Sequence, residues 1–100
     1  MDERSAVRVV SDREVAFHSG DTIDRAVLYN VSTGGCMLGV PGEVHEQSEF
    51  LCVKLGGLPV DGHIVWRRGN MVGVRFVQSV HPVLVDHLAF REPDEDIAAD

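Results

Sequence analysis

Basic side chains are scarce in this chain of 100 residues: nine Lys and Arg stand against sixteen Asp and Glu, for a net charge of −7. A protein that holds a polyanion presents a basic face, so this balance argues against DNA or RNA as a partner. Long apolar runs are missing too. No stretch approaches the ~18 apolar residues that span a bilayer. The N-terminus Met-Asp-Glu-Arg has neither the basic nor the apolar region of a signal peptide, so a cytoplasmic protein without membrane insertion is expected. Two cysteines, Cys36 and Cys52, are too few for a disulfide framework, which agrees with a reducing compartment. Six aromatics without a basic groove do not suit an oligonucleotide-binding barrel. The five histidines have no partner at a metal-ligand spacing, and no Walker loop, nucleophile elbow or Cys–His pairing is present. Neither a metal site, a cofactor nor an enzyme is expected.

What the chain does contain is a succession of short alternating segments. Val15 and Phe17 alternate with Glu14 and His18 ahead of a turn at Ser19-Gly20-Asp21. Val27, Tyr29 and Val31 are expected on one face of the next strand, with Leu28 and Asn30 on the other. Met37-Leu38-Gly39-Val40 stops at Pro41-Gly42, and Leu51, Val53 and Leu55 alternate ahead of Gly56-Gly57. His63 to Arg67 and Met71 to Phe76 flank the turn Arg68-Gly69-Asn70. Six short strands at turn-rich spacing predict a mainly β fold, a six-stranded antiparallel barrel that hides its edges. The period then changes. Pro82 suits a first helical position, and Leu84, Val85, Leu88 and Ala89 form a helical stripe, so a short C-terminal helix is expected to cover the barrel.

Three parts follow: a flexible arginine-bearing segment over residues 1–12, the barrel with its helix over 13–90, and an acidic tail over 91–100. The tail carries five acids and one arginine, is poor in large apolar groups, and is expected to be disordered. Because charges beyond ~8 Å are largely screened at physiological salt, the tail does not prevent a small anion from binding near a few arginines.

Two short motifs stand out. Arg4-Ser5-Ala6-Val7-Arg8 spaces two arginines four apart, and about twenty residues later comes Asn30-Val31-Ser32-Thr33-Gly34-Gly35. Alone, the first reads as solvated side chains near a terminus and the second as an ordinary turn. Together and in this order, ahead of a β pattern that includes Gly62-His63-Ile64-Val65-Trp66 and Gly73-Val74-Arg75-Phe76, they resemble the signature of PilZ domains, the bacterial receptors of cyclic di-GMP. The resemblance covers roughly residues 4–90.

That resemblance implies a ligand-binding role for Arg4, Arg8, Asn30, Ser32, Gly34 and Gly35. An arginine fork matches the adjacent O6 and N7 acceptors of guanine, and the same guanidinium stacks on a purine or clamps a phosphate. Arg4 and Arg8 would wrap the ligand from a segment that becomes ordered on binding. Asn30 and Ser32, two apart on extended chain, would turn an amide and a hydroxyl to one face. Gly34 and Gly35 would permit positive φ and close approach to a flat base. Family members carry Asp or Asn at this position, and Asn30 offers one acceptor oxygen where Asp would offer two. Asp2, Glu3 and Asp12 flank the arginines and would pair with them weakly in the free protein. Trp66 reads first as a barrel or helix contact and second as a support beside the ligand.

The function so implied is a single-domain receptor for cyclic di-GMP that orders its arginine segment and signals to a partner protein. The alternative is a PilZ-like adaptor that binds no nucleotide and acts through protein–protein contacts.

Overall fold

The computed structural model describes residues 8–20, 22–41 and 49–89. Arg4 and the acidic tail of 91–100 lie outside the described residues. Seven strands are present among those described: β1 (Val9–Val10), β2 (Glu14–Ser19), β3 (Thr22–Val31), β4 (Gly35–Gly39), β5 (Phe50–Leu55), β6 (Leu58–Arg68) and β7 (Met71–Phe76), followed by helix α1 (Pro82–Leu88). All pairings are antiparallel, in the order β3-β2-β5-β6-β7-β4, and β4 pairs back onto β3 to close the ring. The expected six-stranded barrel with a C-terminal helix is therefore what the chain forms, with β1 as one extra short strand.

The strands run further than their alternation suggested. β3 starts at Thr22 rather than near Val27, because Asp24 and Arg25 lie on its exposed part and mask the apolar rhythm. β1 continues the line of β2 along β3: Val9 faces Val31 and Val10 faces Asn30, while Glu14 faces Val27. Three residues, Ser11 to Arg13, thus span what two residues span on β3. The ladder is carried across this bulge by Ser11 N–H to the Tyr29 carbonyl (2.9 Å) and Leu28 N–H to the Arg13 carbonyl (2.8 Å).

Inward residues of every barrel strand fill one core, with Leu28, Val31, Leu38, Val53, Leu55 and Val72 fully buried. Helix α1 closes one end by adding Val85 and Leu88 to that core. Its start is fixed by His81, whose Nδ1 accepts the Val83 N–H at 3.0 Å, and by Pro82 in the first turn. Its far end is tied down by Arg13, whose guanidinium donates to the His87 carbonyl at 3.1 Å.

Leu38 sits at the centre of the wall that carries the site described next. Leu38→Ala is expected to lower unfolding stability by about 2–5 kcal/mol, the usual cost of a cavity at a closed-packed position; urea denaturation followed by circular dichroism checks this.

Candidate functional site

Two strands of the outer wall each carry one residue too many. Opposite β4, the register of β3 slips between Leu28 and Asn30, so Tyr29 is the inserted residue. Opposite β7, β6 slips between Ile64 and Trp66, so Val65 is inserted. A bulge changes which way the following side chains point. Asn30 and Trp66 therefore face out on either side of β4 and β7. Asn30 stands opposite Met37, Met37 opposite Gly73, and Gly73 opposite Trp66. One straight row across four strands, Asn30–Met37–Gly73–Trp66, forms the floor of a depression of ≈ 250 Å³, with Arg8 and Val65 at its margin.

Gly73 makes this depression. A Cβ there would collide with the indole Nε1, Cε2 and Cδ1 of Trp66, so the ring crosses the strand only because position 73 is bare. Trp66 covers the glycine with one part of its surface and stays 43% exposed. Arg8 closes the opposite end. The short β1–β3 pairing brings it in, and its Nη1 donates to Asn30 Oδ1 at 2.7 Å. The Asn30 amide nitrogen lies 3.9 Å from the Met37 sulfur. Along β7 the next outward residue is Arg75, opposite Gly35, and Arg68 stands opposite Met71. Guanidinium groups thus border the row in a protein whose net charge is −7.

The turn between β3 and β4 differs from the expectation drawn from its sequence. Asn30 is half-buried on the outer wall, but Ser32 does not share its face: it is 3% exposed. Its hydroxyl accepts the Gly34 N–H (3.2 Å) and points at the Gly35 carbonyl (3.4 Å). Ser32 is therefore the internal brace of the turn. Gly34 and Gly35 do not adopt positive φ, which among the described residues occurs at Gly20, Gly56, Gly57 and Gly69. Gly35 is bare because a Cβ would strike the Val74 carbonyl of β7, so its need for glycine is met by a close strand contact. The carbonyls of Thr33 and Gly34 accept from Val80 N–H and Phe76 N–H, both at 2.9 Å, joining the turn to the segment that leads into α1.

Residues 2–90 match the sequence profile of the PilZ domain. The chain belongs to the PilZ domain family. No curated protein matches it. Members of this family are binding domains rather than catalysts, and membership makes the chain a cyclic di-GMP receptor or a PilZ-like adaptor. No helix among the described residues is long and apolar enough to cross a membrane, and no group of described His, Cys, Asp or Glu is arranged to hold a metal.

Of the residues singled out from sequence, the PilZ fold brings Arg8, Asn30 and Trp66 together at one depression, and puts Ser32, Gly34 and Gly35 in the supporting turn. Gly73 was missed. Its signal was a glycine inside an otherwise β-forming run, opposite the chain's one tryptophan.

Two outcomes follow from these contacts. Gly73→Ala is expected to push the indole off the wall and shift the emission of the single tryptophan to longer wavelength, read by intrinsic fluorescence. Cys36 lies behind the row, where burial pushes its thiol up to about 12, with a small opposing effect from Arg8. It stays protonated and inert at pH 8. Cys52 is only half-buried; desolvation and a hydrogen bond with Asp61 raise its thiol as well, but it is not enclosed as Cys36 is. Iodoacetamide at pH 8 is therefore expected to add one label to the native protein and two after unfolding, counted by mass spectrometry. The stability that Cys36 contributes is fully present below pH 9 and is lost as pH rises from there toward 12.

Proposed function

We propose that this PilZ domain is a receptor for cyclic di-GMP in which the depression on the outer wall takes one guanine. The observation that supports this most strongly is the contact between Arg8 and Asn30, one from each motif, beside the exposed indole of Trp66. A volume of ≈ 250 Å³ is below the ~300–1,000 Å³ of pockets that enclose a drug-sized ligand. It suits a single base, with the rest of a cyclic dinucleotide lying on the wall.

Each residue has a definite task in this reading. The Arg8 fork pairs with guanine O6 and N7, or turns to a phosphate. Asn30 holds that guanidinium in place before the ligand arrives, which reduces the ordering cost of binding. Once Arg8 moves to the ligand, the Asn30 amide oxygen is available to a guanine N–H. Trp66 stacks on the base, and Gly73 lets it do so close to the wall. Arg75 and Arg68 provide positive charge for the phosphates. Arg4 extends the grip from the N-terminal segment, whose ordering over the ligand creates a surface for a partner protein.

Titration calorimetry with cyclic di-GMP, and ATP as a control that carries phosphates but no guanine, tests this. Wild type is expected to bind saturably. A hydrogen bond to a charged group is worth about 1.5–3 kcal/mol, so Arg8→Ala is expected to bind roughly ten- to a hundredfold more weakly. Folded wild-type protein that gives no heat would contradict the receptor and leave the adaptor, whose search begins with its protein partners.

A further inference from the structure

The barrel repeats the construction of the Trp66–Gly73 pair once more on the same wall. A Cβ on Gly39 of β4 would collide with the ring of Tyr29, meeting Cε2 and, at 3.2 Å, Cζ and Oη. Tyr29 is the inserted residue of its bulge, as Val65 is beside Trp66. Among the described glycines, only these two have an aromatic ring in the space of the missing Cβ. Both rings keep a similar free surface, 41% for Tyr29 and 43% for Trp66.

The two glycines are close neighbours. Gly39 stands opposite Met71 on β7, and Gly73 is two residues further along that strand. With ~4.8 Å between strands and ~3.4 Å per residue, the two bare positions lie about 8 Å apart on one diagonal. Tyr29 also borders its own concavity of ≈ 580 Å³, distinct from the Trp66 depression and edged by Glu14, Asp24, Arg25 and Asn70. Arg25 holds this rim: Nη1 donates to Glu14 Oε1 at 3.3 Å, and its backbone N–H donates to Asp24 Oδ1 at 2.8 Å. Two carboxylates at the edge disfavour a phosphate. They suit the donor edge of guanine, whose N1–H and N2–H₂ groups need acceptors.

We propose that Tyr29 over Gly39 is a second stacking platform, and that it receives a second guanine while Trp66 receives the first. The inference rests on the reading of this domain as a cyclic di-GMP receptor. The second guanine comes either from the same cyclic dinucleotide or from a second molecule, and the binding stoichiometry separates the two sources. Tyr29 contributes the face of its ring, so Phe serves equally well at this position. Leu covers Gly39 without offering a π surface and does not serve.

Calorimetry of wild type, Tyr29→Phe, Tyr29→Leu and Arg8→Ala with cyclic di-GMP, and with guanosine monophosphate as a one-base probe, decides the matter. Tyr29→Leu is expected to weaken cyclic di-GMP binding about tenfold or to lower the stoichiometry from two to one, consistent with the strength of base–aromatic stacking. Tyr29→Phe is expected to bind as wild type does, and melting by circular dichroism shows that both variants are folded. Binding of the one-base probe at the Trp66 depression is expected to survive in Tyr29→Leu and to be lost in Arg8→Ala. If Tyr29→Leu binds cyclic di-GMP with wild-type affinity and stoichiometry while Arg8→Ala fails, the second platform is overturned and the receptor reading stands. If wild type binds no ligand, both are overturned.

Discussion

The outer wall depends on two inserted residues, Tyr29 and Val65. Without them β3 and β6 would keep strict alternation past the middle of the wall, and the parity of every later side chain would change. With them, Leu28 and Val31 both enter the core although they are three apart, and Tyr29 and Asn30 both face outward. In the same way Val65 and Trp66 are neighbours in sequence and both exposed. Each bulge places one more group on the surface than a regular strand could. Glycines on the neighbouring strands give the displaced aromatics somewhere to lie, as Gly39 does for Tyr29 and Gly73 does for Trp66. The exposed row of the outer wall is thus obtained with local loss of ladder pairing in a barrel whose closed ring holds the remainder.

The wall is coupled to the rest of the domain through backbone carbonyls and a few side chains that bind backbone. Ser32 braces the turn from inside, and the turn's carbonyls bind the segment between β7 and α1. Arg13, the last residue of the bulge that follows β1, holds the last turn of the helix. A ligand that draws Arg8 away from Asn30 would pull on β1, and β1 is joined to the helix by only a few residues of chain and the Arg13 contact. That is a short physical route from the depression to α1, where Val83 is strongly exposed. Net charge does not oppose binding at the wall, because it is local guanidinium groups that a small anion meets inside a Debye length.

Much of this was legible in the sequence, and the failures share a cause. The six barrel strands and the helix behind Pro82 follow from alternation and turn residues, and a shared site for Arg8 and Asn30 was implied by the resemblance to PilZ domains, whereas their direct contact was not foreseen. Val31, expected beside Val27 and Tyr29, instead points into the core, because a bulge is invisible to a period of two. Ser32 was assigned to the open face with Asn30 by continuing the strand alternation, yet it is buried, because β3 ends at Val31 and Ser32 already belongs to the turn. Gly34 and Gly35 suggested positive φ, but the need at Gly35 is steric and set by a strand forty residues later, which local sequence does not encode. Gly73 and Gly39 could have been noticed, since glycine inside a strand marks a close approach; which ring would approach each one depends on register alone.

The most direct test of the account is a two-dimensional amide NMR titration with cyclic di-GMP. The central claim is that one row across four strands, closed by Arg8, is the binding surface. Resonances of Gly73, Met37, the Asn30 side-chain amide and the Trp66 indole N–H should move together and saturate with a single affinity, while β5 and the β5–β6 turn stay still. Shifts confined to β5, the helix or the far wall, with the Trp66 indole unmoved, would contradict it.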